Sequence, residues 1–139
     1  MAEGTTPLDR KLGIKPGHQV TLRHAPPGWP PRELALPDVE MVEDDIAGAD
    51  VVLAFYRRQV DLNDDVASLE SGLAASSSLW VCWPRRAGGH RSDITDNVLR
   101  ELLLPTGLVD VKVAALSNDW SGLKFVWRKE LAGAASRAG

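Results

Sequence analysis

The chain has 139 residues, 44% of them apolar and 25% charged, with a formal net charge of −3. That make-up fits one globular domain with a layered core and argues against a general nucleic-acid binder, which would be strongly basic. The single cysteine, Cys82, excludes an internal disulfide and a zinc site built on several thiolates.

No apolar run reaches the roughly 20 residues of a membrane-spanning helix. An acid and small residues stand where a secretion signal would carry a basic start and an apolar stretch, so a cytoplasmic location is expected. Charge is unevenly spread. Residues 38–70 hold ten acids and two bases (−8), and the rest holds nine acids and fourteen bases (+5). Such segregation points to one acidic and one mildly basic face.

Residues 1–9 show no periodicity and are expected to be disordered, as is the tail over 131–139; one α/β domain is expected over 10–130. A turn-rich lead-in, Leu12 to Gly17, runs into a predicted strand from Gln19 to His24. Pro26, Pro27, Gly28, Pro30 and Pro31 then forbid regular structure. Pro31 suits the start of a short helix through Leu36, and Val39–Val42 reads as a short strand. Val51–Tyr56 is continuously apolar and rich in β-branched and aromatic residues, as a strand covered on both faces should be. Asp61 is the expected cap of the next helix, whose Leu62, Val66, Leu69 and Leu73 share one face.

Leu79–Trp83 is a second buried strand. Pro84 ends it, and the basic loop Arg85, Arg86, Gly88, Gly89, His90, Arg91 follows. Ser92 or Asp93 is the expected cap of a further helix with Ile94, Val98 and Leu102 on one face. Pro105 and Gly107 close that helix. Val109, Val111, Val113 and Ala115 then alternate with polar or small residues, as do Leu123, Phe125 and Trp127. With the link Ser117–Gly122, they predict an antiparallel hairpin. The expected architecture is therefore a Rossmann-like mixed α/β sheet with buried parallel central strands and a C-terminal antiparallel hairpin.

Strand ends of such sheets carry the ligands. Glycines let backbone approach a ligand, and arginines present paired donors to phosphate or carboxylate. The candidate ligand site is therefore Arg85, Arg86, Gly88, Gly89, His90 and Arg91, with His24 and Trp120 as neighbours. A meeting of His24 and His90 across adjacent strand ends would allow acid–base or metal chemistry. The three histidines, however, lack metal-site spacing, and no nucleophile elbow, Walker loop or carboxylate pair is present. Asp44-Asp45 and Asp64-Asp65 read as solvated or capping charge. No catalytic residue, metal or cofactor is assigned. Cys82 reads as a buried hydrophobe.

Lys15-Pro16-Gly17 through Gly28 resembles the first strand and loop of class I S-adenosylmethionine-dependent methyltransferases. Arg23, His24, Pro26 and Pro27 replace the glycines with which that family approaches its cofactor. Across the whole chain, Lys11–Gly17, Ala25-Pro26, Leu79-Trp80-Val81, Trp83–Arg86, Asp93-Ile94-Thr95, Gly107–Val113 and Trp120–Phe125 resemble, in order, a bacterial and mainly actinobacterial family known as domain of unknown function 3052. That resemblance implies a cytoplasmic single-domain protein and transfers no catalytic residue. The resulting expectation is a non-enzymatic binding or regulatory module for an anionic small molecule or a protein partner. A diverged methyltransferase-like enzyme is the alternative.

Overall fold

The structure, a computed structural model, describes residues 7–128. Helix α1 spans Leu8–Leu12, and strand β1 spans Gln19–Arg23. A single 3-10 turn at Arg32–Leu34 precedes β2, Glu40–Glu43. Then come β3 (Val51–Phe55), α2 (Gln59–Gly72), β4 (Ser78–Pro84), α3 (Asp96–Leu103), β5 (Leu108–Ala115) and β6 (Trp120–Trp127).

The strands form one sheet in the order β2-β1-β3-β4-β6-β5. β2, β1, β3 and β4 run parallel, and β6 joins β4 antiparallel with β5 outside it. The expected mixed sheet with buried parallel centre and terminal hairpin is the observed one. β3 and β4 lie side by side, Val51 opposite Ser78 and Phe55 opposite Cys82. Every residue of β3 is buried, because helices or loops cover both faces.

On one face, α2 and α3 pack Leu62, Leu69, Leu99 and Leu103 against Val52, Leu79, Val81, Leu123 and Phe125. On the other, α1 and the proline-rich segment pack Leu8, Leu12 and Leu34 against Val20, Leu53, Trp80 and Cys82. The Trp80 indole N–H donates to the Leu12 carbonyl at 3.1 Å, tying α1 to the sheet centre. Burial holds the Cys82 thiol well above its ordinary pKa, consistent with an inert core residue.

Several local expectations change. α1 begins at Leu8, inside the stretch expected to lack structure, because Leu8 and Leu12 are buried one helical turn apart. The expectations for residues 1–6 and for the 131–139 tail lie outside the described residues. The Pro31 helix shortens to one turn. α2 starts at Gln59, two residues before its expected cap Asp61. α3 is capped by Thr95, whose Oγ1 accepts from the Val98 N–H at 3.2 Å, and not by Ser92 or Asp93. Its buried residues are accordingly Leu99 and Leu103, with Val98 and Leu102 flanking them.

In β5, a bulge between Asp110 and Lys112 interrupts the alternation. It leaves Val111 and Val113 53% and 56% exposed on the sheet edge. No helix of the described residues is long and apolar enough to cross a membrane.

Candidate functional site

From β1 the chain crosses to β2 on one side, then returns to β3 on the other. The sheet therefore has a switch point between β1 and β3, where diverging connections open a crevice beyond the strand ends. A cleft of about 440 Å³ lies there, lined by His24, Pro26, Pro27, Phe55, Tyr56, Arg57, Asp61, Asp64, Asp65 and Trp120. His24 follows β1, Tyr56 and Arg57 follow β3, and the three aspartates belong to the first turns of α2.

One wall is a tightly paired polar cluster. Arg23 Nε and Nη2 donate to the two Asp65 oxygens, each at 2.7 Å, in a bidentate pair. The Tyr56 hydroxyl also donates to Asp65, and His24 Nε2 lies 3.3 Å from the same carboxylate. The Arg23 and Asp65 side chains are only 18% and 14% exposed. The Arg23 hydrogen bonds hold the Asp65 carboxyl down at about 2, outweighing its partial desolvation. Burial, then the bond to Asp65, pushes the Tyr56 phenol far above its ordinary range. Neither group exchanges a proton near neutrality, so the cluster fastens the ends of β1 and β3 to α2.

The opposite wall is aromatic. Phe55 meets Trp120 edge-on at 5.1 Å between ring centroids and Trp29 at 5.0 Å. The Arg57 guanidinium sits 5.0 Å above the Trp120 ring, is exposed, and forms no ion pair among the described residues. A planar cation stacked on indole retains its outward N–H groups for a ligand. On the α2 side, Asp61 pairs with Arg58 at 3.2 Å.

The basic loop takes a different form from the expected one. After β4, residues Arg86–Gly88 make a 3-10 turn that leans on the hairpin link. The Arg85 N–H donates to the Asp119 carbonyl at 2.8 Å, and His90 Nε2 lies 2.8 Å from Asp119 Oδ1. A Cβ on Gly88 would stand 2.1 Å from the Asn118 carbonyl oxygen, so this backbone approach requires glycine. Gly89 adopts φ +87°. Ser92 donates to the Arg57 carbonyl at 2.9 Å, and Asp93 accepts from the Gln59 N–H at 2.8 Å, serving the start of α2.

Of the predicted site residues, His24 and Trp120 line the cleft. Arg86, Gly89, His90 and Arg91 line a separate depression of about 540 Å³ on the β4 side, with Ser92. Arg85 and Gly88 belong to the same loop. The loop thus borders the cleft through Arg57 and Asp119. His24 and His90 do not meet: β3 separates β1 from β4, and the two histidines lie against different aspartates, Asp65 and Asp119. Among the described residues, no group of three or more His, Cys, Asp or Glu is arranged to hold a metal ion. Asp65 is not the solvated charge expected of it.

Sequence reasoning missed Arg23, Tyr56, Arg57 and Asp65. The available signal was polar residues directly after two strands; what was lacking was the knowledge that β1 and β3 are neighbours.

The profile of a protein family of unknown function, DUF3052, matches residues 34–129. No curated protein matches this chain. Among solved structures, a Methanococcus jannaschii fibrillarin pre-rRNA processing protein is similar at 12% identity and TM-score 0.51, over 88% of this chain and 69% of that one. A protein in the NADB-Rossmann superfamily from Streptococcus agalactiae is similar at 8% identity and TM-score 0.51, over 88% and 68%. The pyocyanin biosynthetic protein PhzM is similar at 12% identity and TM-score 0.51, over 87% of this chain and 53% of that one. Likeness at such identities shows a shared Rossmann-like fold.

Proposed function

The chain belongs to the DUF3052 family, for which no function is known, and we propose from its site that it is a non-enzymatic binding module taking a small anionic ligand in the switch-point cleft. The observation that carries this reading is Arg57. An exposed guanidinium without a carboxylate partner among the described residues lies over Trp120 at the crevice where open α/β sheets place ligands. Its N–H fork suits a carboxylate or phosphate. The loop Arg85–Arg91 lies next along the rim and would extend the basic surface for a larger ligand. Asp65 and Tyr56, the groups a general acid–base mechanism would use, are locked into the structural clamp.

A methyltransferase-like enzyme is the second reading, favoured by the fold similarity and by the lead-in Lys15-Pro16-Gly17. The loop after β1 does not fit S-adenosylmethionine in that family's manner. Arg23 is turned into the clamp, His24 occupies a left-handed φ of 57°, and Pro26 and Pro27 offer no N–H. Only Gly28 supplies the backbone freedom a cofactor loop needs.

Thermal-shift measurements with a panel of nucleotides, phosphate monoesters, carboxylates and S-adenosylmethionine separate the readings. The expected result is stabilisation by an anionic compound that disappears in Arg57→Ala. Stabilisation by S-adenosylmethionine would favour the enzyme reading. Stabilisation unchanged in Arg57→Ala but lost in Arg85→Ala/Arg86→Ala would move the site to the loop.

A further inference from the structure

The face of the sheet that α1 covers holds a second concentration of charge, away from the cleft. α1 lies over Trp80, and beside its last turn the β5–β6 hairpin presents a half-buried Lys124 and an exposed Lys112. There Lys124 stands on β6 opposite Lys112 on β5, on the same face as Trp80. The Lys112 ammonium donates to the Lys11 carbonyl at the end of α1, at 3.1 Å. The Lys11 ammonium donates to the Ala115 carbonyl at 3.0 Å, reaching back to β5. The Lys124 ammonium lies under Gly13, where a Cβ would come within 3.3 Å of it.

None of these lysines, nor Lys15 after the α1 turn, forms a salt bridge among the described residues. Partial burial and then the charges of Lys112 and Lys15 push the Lys124 ammonium below its ordinary pKa. Lys112 and Lys124 are register partners on neighbouring strands, and like charges so placed, one of them partly desolvated, oppose one another in the folded state. A bound anion would remove that opposition, which is the electrostatic logic of a binding site.

We propose that the step between α1 and the β5–β6 hairpin is an oligophosphate-binding site formed by Lys15, Lys112 and Lys124. The ammonium groups come from two separate elements, the turn after α1 and the hairpin, so they can contact successive phosphates along a chain. Lysine suits this task because it acts as a compact point charge toward phosphate without demanding one planar geometry. Binding also staples α1 to the hairpin, to which two lysine-to-carbonyl bonds already tie it. The site shares no residue with the lining of the cleft.

The test is isothermal titration of the full chain at moderate ionic strength with inorganic tripolyphosphate and, separately, adenosine triphosphate. Sulfate at matched ionic strength serves as the control for charge alone. Tripolyphosphate is expected to bind the wild type, and Lys112→Ala/Lys124→Met to bind at least about tenfold more weakly. Lys112→Ala alone, an exposed change that leaves Lys124 in place, should give a smaller loss in a normally folded protein. Equal binding of tripolyphosphate and adenosine triphosphate assigns recognition to the phosphate chain; tighter nucleotide binding adds a base contact to the same site. Arg57→Ala and Arg85→Ala/Arg86→Ala should leave tripolyphosphate binding unchanged. The proposal is overturned if tripolyphosphate fails to bind, if sulfate competes equally, or if binding survives the lysine changes and is lost with the arginines.

Discussion

Replacing Asp65 by asparagine removes the charge that fastens the ends of β1 and β3 to α2 while keeping the side-chain shape. In the folded protein the Asp65 carboxyl is depressed from its ordinary 3.8 to about 2, chiefly by the two Arg23 hydrogen bonds. A depressed folded pKa contributes stability that is fully present above the unfolded value and is lost as pH falls through the folded one. That difference corresponds to about 2 kcal/mol at neutral pH, rounded down because both side chains retain some contact with water. The amide oxygen of the asparagine would still accept from Tyr56, but the Arg23 guanidinium would keep only the more distant Asp44, at 3.6 Å, as a charged partner.

Asp65→Asn should therefore lower stability by about 2 kcal/mol at pH 7 and the melting temperature by about 6 °C. Circular dichroism melts and urea titrations at pH 7, 5, 4, 3 and 2 measure the gap between wild type and variant. The gap should hold at pH 7 and 5, then close between about pH 4 and 2. A variant as stable as the wild type at pH 7, or a gap that persists undiminished at pH 2, would refute the clamp. Arg23→Met/Asp65→Leu should be less damaging than the sum of its single changes, because the double change leaves no half-buried charge alone.

Other parts of the structure make narrower predictions. Gly88→Ala should destabilise by about 1–3 kcal/mol in chemical denaturation, because its Cβ would overlap the Asn118 carbonyl oxygen. Thr95→Ala should cost about 1 kcal/mol by removing the acceptor for the Val98 N–H, whereas Thr95→Ser should cost much less. Cys82 should react with a thiol-specific reagent only at the rate of opening or unfolding, since its thiol is fully buried with a raised pKa. Rapid modification in native buffer would contradict that burial.

The sheet was legible because its central strands advertise themselves. Val51–Phe55 and Ser78–Pro84 are apolar on both faces and cannot be read as half-exposed strands or amphipathic helices. Leu62, Val66, Leu69 and Leu73 likewise repeat at helical spacing, and Leu62, Leu69 and Leu73 are buried with Val66 packed against them. α1 was hidden for the opposite reason. Five residues without a side-chain cap have little intrinsic helicity, and what holds them is Leu8 and Leu12 in the core with the Trp80 bond.

The α3 cap was misplaced because Ser92 and Asp93 are plausible caps by type. Their oxygens serve Ile94 and the start of α2 instead, contacts that require the β3 and β4 exits to be adjacent. The exposed β5 valines depend on a bulge that no local pattern announces.

The basic loop could be located along the chain, yet the switch-point cleft could not. Its residues come from β1, β3, α2 and β6, and only the strand order joins them. Arg57 illustrates the difficulty. In sequence it is one arginine after an apolar run; in space it covers an indole 63 positions further on.

The most direct measurement is a ¹⁵N–¹H NMR titration with the anionic compound whose stabilisation is lost in Arg57→Ala. Resonances of His24, Tyr56, Arg57 and the Trp120 indole should move together and saturate with one affinity. Movements confined to Arg85–Arg91, or scattered over the surface without saturation, would contradict a ligand seated between the ends of β1 and β3.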